Sequence, residues 1–184
     1  MDILNLIKKP VQSLFLNFGP TDSIRLHQGF AQLNDCAVIL LFCIKHPAEL
    51  KSVEAIIPVA KKYFKKVVAL VLYTGIKKPP ISTEEVRVVS IKDFTLFGKP
   101  NVGLLEYTPG NEADILISMK GCESGYFKKL VKHIPAGFKA GIYQSSIASL
   151  FHFMLQVDSR NLSDEMVLEQ FVVYIKKIKP LSHE

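Results

Sequence analysis

Short continuous runs of apolar residues alternate with amphipathic segments from residue 35 onward. The first run, Ala37–Ile44, has β-branched and large aliphatic side chains without a polar break, which is typical of a strand covered on both faces. The pattern therefore predicts this strand and five more of the same kind: Val67–Tyr73, Val86–Ile91, Ala113–Met119, Phe138–Tyr143 and Phe151–Val157.

The segments between these runs carry apolar residues at helical spacing. After Pro47 they recur every three to four positions through Phe64, and Pro58 inside this pattern predicts a kink or a break. A second helix is predicted over Ser124–His133. Ser163 is a suitable N-cap for a last helix, whose apolar members are Met166, Val167, Phe171, Tyr174, Ile175 and Ile178.

Strands that alternate with helices favour a three-layer, Rossmann-like α/β domain with a mostly parallel sheet of about five to six strands. We assign this domain to residues 35–184. Residues 1–34 are interpreted as an N-terminal helical or irregular extension, in which Val11–Phe18 is mainly apolar and a helix is expected over Ser23–Leu33.

Composition supports one globular domain, because 48% of the 184 residues are hydrophobic and 22% are charged. The longest unbroken apolar run, Cys36–Ile44, is well short of the ~20 residues that a membrane-spanning helix needs. The start of the chain lacks the basic and apolar pattern of a secretory signal. We therefore expect a cytoplasmic protein without a membrane span.

The cysteines and histidines do not have the spacing of metal ligands. Cys36 and Cys43 bracket a predicted strand, so their side chains should point to opposite faces and behave as buried thiols. Cys122 leaves an odd count of three. We expect reduced thiols, a thermal stability that dithiothreitol does not change, no metal and no cofactor.

The net charge of +6 raises the question of nucleic acid or an anionic surface as a partner. The charge comes mainly from lysines, since the arginines are only Arg25, Arg87 and Arg160. Ten lysines, here called the basic rim, fall near predicted helix ends, where cations stabilise the helix dipole: Lys61, Lys62, Lys65, Lys66, Lys128, Lys129, Lys132, Lys176, Lys177 and Lys179. Helix ends account for the rim, so we expect no specific nucleic-acid binding.

Small ligands of open α/β sheets bind beyond the carboxyl ends of the strands, at the edge opposite this rim. Tyr73, Thr74, Lys120 and Cys122 follow or end predicted strands. The candidate ligand-binding residues at this edge are Lys45, His46, Lys92, Asp93, Gly121, Glu123, Gln144, Asp158 and Arg160.

Two chemical interpretations of this edge are weaker. The segment Gly121–Gly125 joins a strand to a helix as phosphate loops do, but it lacks the Walker lysine and contains the acidic Glu123. A turn with Ser124 as helix cap is favoured. Cys122, His46 and Asp93 could converge as a nucleophilic set, because all three follow strands.

The chain resembles a family of uncharacterised proteins found mainly in Bacteroidota and grouped as a domain of unknown function. The resemblance covers residues 34–179 and rests on six segments: Asp35–Phe42, Lys92–Pro100, Ala113–Met119, Phe138–Ile142, Phe151–Leu155 and Leu168–Phe171. It implies the α/β fold and a bacterial, cytoplasmic setting, but no activity.

Two positions depart from the family pattern. Ser118 and His152 stand where relatives carry an acidic residue, so a chemical role of those acids is in doubt here. More remotely, Asp114–Met119 with Phe138–Gly141 is similar to the acceptor half of heptosyltransferase-type glycosyltransferases. This resemblance implies a derived remnant rather than a complete transferase.

Three functions follow as hypotheses. The leading one is a non-enzymatic binding or interaction domain for a protein or a small molecule. The second is an enzyme, or a degenerate glycosyltransferase-like domain, that uses the carboxyl edge. The third is weak binding of nucleic acid or an anionic surface through the basic rim.

Overall fold

The computed structural model describes residues 33–76, 82–96, 98–101, 113–157 and 162–178, together with the backbone of residues 14–16. Within these residues the strands are β1 (Leu14–Leu16), β2 (Ala37–Ile44), β3 (Lys66–Tyr73), β4 (Val86–Ser90), β5 (Ala113–Lys120), β6 (Ala136–Ile142) and β7 (Phe153–Leu155). The α-helices are α1 (Leu50–Ala60), α2 (Gly125–His133) and α3 (Asp164–Lys177). The six predicted strands and three predicted helices are confirmed.

All described strands belong to one sheet, in the order β1-β7-β6-β5-β2-β3-β4. The six strands from β2 to β7 are parallel, while β1 pairs antiparallel with β7 through Leu14–Leu155 and Leu16–Phe153. Strand β1 lies within residues 1–34, where the apolar pattern predicted only a helical or irregular extension. A segment of three residues is too short to give a clear strand pattern, and its partner strand β7 lies about 140 positions further along the chain.

The core has two parts, one on each face of the sheet. On the first face, α1 and α3 pack on alternate residues of the central strands, such as Leu40, Phe42 and Ile117. On the second face, α2 packs on the intervening residues, such as Leu41 and Leu116. This is the three-layer arrangement that the continuous apolar runs predicted.

Capping residues define the starts of two helices. The Ser124 hydroxyl accepts a hydrogen bond from the Tyr126 backbone N–H at 3.2 Å, and the Ser163 hydroxyl accepts one from Met166 at 3.3 Å. Both caps are as predicted.

Helix α1 continues through Pro58 to Ala60, so the predicted break at Pro58 does not occur. Pro58 cannot donate a backbone hydrogen bond, but the residues Val53, Ile56, Ile57 and Ala60 around it are buried against the sheet. This packing stabilises the helical conformation on both sides of the proline.

Candidate functional site

The central pair of the sheet, β2 and β5, forms its topological switch point. The chain passes from β2 to β3 and β4 on one side, and from β5 to β6 and β7 on the other. The loops that leave β2 and β5 therefore diverge, and open sheets bind ligands between such loops. We call the region formed by residues 45–49 and 121–124 the switch-point crevice.

The loop after β2 is organised by Glu49. The Glu49 Oε1 atom accepts hydrogen bonds from the backbone N–H groups of Lys45 at 3.0 Å and His46 at 2.9 Å. The other oxygen, Oε2, forms an ion pair with the Lys120 ammonium at the end of β5. One carboxylate thus connects the two sides of the crevice.

These bonds change the acidity of Glu49. Partial burial alone would raise its pKa, but hydrogen bonds from the Lys120 ammonium and from the backbone of His46 and Lys45 outweigh that effect. They lower the pKa from 4.5 to about 2. Glu49 is therefore a fixed anion at neutral pH and a poor general base.

The low pKa of Glu49 makes its contribution to stability depend on pH. Because the folded pKa lies below the unfolded one, this contribution is complete above about pH 5 and is lost as the pH falls toward 2. With solvent screening taken into account, Glu49→Gln should lower the free energy of unfolding by about 1–2 kcal/mol at pH 7. At pH 3 the difference should be less than half as large.

Urea unfolding curves at pH 7, 5 and 3 measure this difference. Glu123→Gln is a matched control, because Glu123 is exposed on the opposite loop of the same crevice. An equal loss of stability for Glu49→Gln at pH 7 and pH 3 would contradict the role assigned to the carboxylate.

A disulfide between Cys43 and Cys122 also spans the crevice, with a Cα–Cα distance of 6.0 Å. Cys43 lies near the end of β2, and Cys122 lies two residues after β5. The prediction of three reduced thiols is therefore wrong. It considered only Cys36 and Cys43, which do pack on opposite faces, and lacked the adjacency of β2 and β5.

Cys36 is not part of the disulfide and lies just before the other end of β2. Burial, together with the nearby carboxylates of Asp114 and Asp35, raises the pKa of the Cys36 thiol to about 11. Asp114 also accepts a hydrogen bond from the Ala37 backbone N–H at 2.8 Å. This thiol is remote from the crevice and poorly reactive.

Two buried polar atoms near the crevice have no hydrogen-bond partner within the described part of the chain. They are the hydroxyl of Tyr73, a side chain only 2% exposed at the end of β3, and the Oε1 atom of Gln144 after β6. A Cβ at Gly75 would overlap the Tyr73 hydroxyl and the Lys45 carbonyl oxygen. Tyr73 belongs to β3, which neighbours β2, and Gln144 follows β6, which neighbours β5. The two atoms therefore lie on opposite sides of the crevice.

Gln144 is in contact with the loop after β5. A Cβ built at Gly121 would lie 2.9 Å from Gln144 Oε1, which is closer than real side chains approach. A larger residue at position 121 would therefore displace the Gln144 side chain from its observed position. The predicted residues Lys45, His46, Gly121, Glu123 and Gln144 all lie in or beside the crevice.

Other predicted site residues lie elsewhere. Lys92 and Asp93 follow β4, the edge strand, which is separated from β2 by β3. The Asp93 carboxylate accepts hydrogen bonds from the Ser90 backbone N–H at 2.7 Å and from the Ser90 hydroxyl at 2.9 Å. It caps the 3-10 helix Ile91–Asp93. Asp158 and Arg160 lie outside the described residues.

The proposed Cys-His-Asp set is not assembled. The Cys122 sulfur is bonded to Cys43, and Asp93 lies three strands from β5, or about 14 Å at the usual strand spacing. His46 directly precedes the 3-10 helix Pro47–Glu49, as a helix-start residue does. The interpretation of all three as one nucleophilic centre is therefore wrong.

The prediction that the lysines of the basic rim lie at helix ends is correct for only some of them. Lys61, Lys132, Lys176 and Lys177 do lie at helix C-termini. Lys128 and Lys129 lie in the middle of the short helix α2, while Lys65 and Lys66 follow α1 by several residues because that helix ends at Ala60. Lys179 lies outside the described residues. Lys61 forms an ion pair with Glu85, which precedes β4 at the amino edge.

Ser118 and His152, the two positions at which the sequence resemblance predicted a departure from the family, are buried within the sheet region. Ser118 in β5 is 2% exposed and His152 is 7% exposed. The Nδ1 atom of His152 accepts a hydrogen bond from the Lys139 backbone N–H at 2.8 Å, and its ring stacks on Phe138. His152 therefore has the buried, hydrogen-bonded environment of a structural residue.

The parallel sheet with helices on both faces and polar loops at its carboxyl edge defines a Rossmann-like α/β domain. The chain belongs to the family of unknown function DUF6913, whose family model matches residues 31–178. No curated protein and no solved structure matches the chain. No helix in the described ranges has the length and apolar character needed to cross a membrane.

Proposed function

We propose that this domain is a non-enzymatic binding module that holds a small polar ligand at the switch-point crevice. The observation that carries the proposal is the pair of buried, unpartnered polar atoms, the Tyr73 hydroxyl and Gln144 Oε1, on the two sides of the crevice. Leaving such an atom unpaired costs on the order of 1–3 kcal/mol, so unpaired atoms concentrate where a ligand or ordered water completes them.

The two atoms define the chemistry of the ligand. Gln144 Oε1 is an acceptor and needs a donor, whereas the Tyr73 hydroxyl can donate or accept. Strands β3 and β6 are three strand spacings apart, or about 14 Å. A ligand that contacts both atoms would therefore be an elongated polar molecule lying along the carboxyl edge over β2 and β5.

Binding is favoured over catalysis because three of the reactive groups that the structure describes at this edge are already engaged. Glu49 is held as an anion by Lys120, Asp93 caps a turn, and Cys122 is in a disulfide. The enzyme alternative relies on His46, which is exposed beside the crevice. A cytoplasmic setting in Bacteroidota and descent from a heptosyltransferase-type domain stay predictions from the sequence.

The location of the site can be tested by NMR titration of the folded protein with a panel of nucleotides, sugar phosphates and amino-acid derivatives. We expect the largest amide shifts at Gly75, Gly121 and Gln144. Tyr73→Phe should weaken binding by about threefold to tenfold, since one hydrogen bond contributes about 0.5–1.5 kcal/mol. It should not destabilise the free protein, because the hydroxyl has no hydrogen-bond partner among the residues that the structure describes.

Tyr63→Phe is the control for this titration. Tyr63 follows α1 at the opposite edge, and its hydroxyl donates to Glu169 at 3.4 Å, so its loss should leave ligand affinity unchanged. Shifts centred on Lys61, Lys128 and Lys176 instead of the crevice would place the site on the basic rim and contradict the proposal.

The basic rim itself should bind RNA only weakly. A functional rim would give substantial affinity near 0.15 M salt, and its logarithm would fall steeply with log salt, by about 0.7 per phosphate contact for single strands. Fluorescence anisotropy with a labelled single-stranded RNA measures both. Sub-micromolar affinity that is lost when Lys61, Lys128 and Lys176 are changed to Glu would overturn this expectation.

A further inference from the structure

We propose that the Cys43–Cys122 disulfide is a reversible redox centre, which low-molecular-weight thiols open by attack at Cys122. The second part of the proposal rests on the proposed function: opening the bond releases the loop 121–124 from β2 and so changes the binding crevice. The bond crosses the switch point, where a ligand of an open sheet is expected.

The two sulfurs differ in accessibility. Cys43 lies inside β2 and is 5% exposed, packed with Leu41 and Leu72 on the second face of the sheet. Cys122 is half-buried and lies in the short loop between Lys120 and Ser124, beyond the last ladder residue of β5. An incoming thiolate can therefore reach Cys122 more easily, and exchange reactions follow access of this kind.

The fold around the bond does not depend on it for strand pairing. Strands β2 and β5 are joined by a parallel ladder from Val38–Ile115 to Phe42–Lys120, and both are buried by helices on each side. The Glu49–Lys120 ion pair also connects the two loops. Reduction should therefore leave the domain folded, which a reversible centre requires.

The chemistry balances with a small thiol as reductant. A thiolate RS⁻ attacks the Cys122 sulfur, the bond between the cysteines breaks, and Cys43 leaves as a thiolate that takes up a proton. A second RS⁻ then attacks the sulfur of the R group in the mixed disulfide. This step releases Cys122 as a thiolate and yields RSSR. In the reverse direction RSSR oxidises the two cysteines and is reduced to two thiols.

The loop 121–124 is held from two directions. Cys122 ties it to β2, and Gly121 packs against the Gln144 side chain after β6. Opening the disulfide removes the covalent one of these two restraints. This loop contacts the unpartnered Gln144 oxygen. It is therefore more tightly held in the oxidised protein than in the reduced protein, and access of a ligand to that oxygen changes with the redox state.

The test uses the full chain carrying Cys36→Ser in glutathione buffers of varied ratio, with acid quenching, alkylation and mass spectrometry. We expect the same oxidised fraction from reduced and oxidised starting material, while circular dichroism shows a folded protein throughout. When Cys43→Ser is added to the Cys36→Ser chain, Cys122 should form a mixed disulfide with glutathione. In Cys122→Ser, Cys43 should react at least about tenfold more slowly.

Either of two results would overturn the redox centre: reduction that requires urea, or equal reactivity of Cys43 and Cys122 in the single variants. Hydrogen exchange tests the loop, and amides 121–124 should exchange at least about tenfold faster after reduction. Unchanged exchange would refute control of the crevice. These measurements contain no ligand, so their failure is distinct from a failure to bind one.

Discussion

Reduction of the Cys43–Cys122 disulfide is expected to lower the free energy of unfolding by about 2–4.5 kcal/mol. The bond closes a loop with a sequence separation of 79, and the chain-entropy model places loops of this size toward the upper end of that range. For a chain of 184 residues this corresponds to a fall in Tm of roughly 5–15 °C.

Differential scanning calorimetry with and without dithiothreitol measures this effect. Cys122→Ser should reproduce the reduced protein and make the reductant ineffective, whereas Cys36→Ser should behave like the parent chain because Cys36 is not in the bond. A parent Tm that does not respond to reductant would show that the bond does not stabilise the fold.

Removal of the Phe171 side chain is expected to have an effect of similar size. Phe171 lies on α3, is fully buried on the first face, and meets Phe153 edge to face at 6.2 Å between ring centroids. Phe171→Ala leaves a cavity under the helix and should cost about 3–5 kcal/mol. The cost is large because α3 covers the centre of the sheet.

Lys176→Ala is the matched control on the same helix. Lys176 is exposed in the last turn, with its ammonium 6.0 Å from the Tyr63 ring, so its loss should cost a few tenths of a kcal/mol, up to about 1. Urea unfolding measures both variants. A difference between them below 1 kcal/mol would contradict the assignment of Phe171 to the core.

Most of the secondary structure could be predicted because its signals are local. The unbroken apolar run Ala37–Ile44 required a strand buried on both faces, and the structure places it at the centre of the sheet. Ser124 and Ser163 marked helix starts because a cap acts within three residues. The helix does not break at Pro58, because packing of the surrounding residues outweighs the missing hydrogen bond.

The candidate site was predictable only in outline. The rule that ligands bind at carboxyl edges selected Lys45, His46, Gly121 and Gln144, which lie in or beside the crevice. Glu49 was missed, although its position three residues after His46 is that of a capping-box acid. The separation of Asp93 from Cys122 depended on strand order, which no local pattern encodes.

By itself the sequence determined the α/β class, the six main strands, the helices and the edge at which polar loops gather. Only the tertiary structure decided that β5 lies beside β2, and with it the Cys43–Cys122 bond, the Glu49–Lys120 ion pair and the pairing of β1 with β7. Periodicity and capping act between residues a few positions apart. These pairings join residues more than seventy positions apart, and they follow from how the whole core packs.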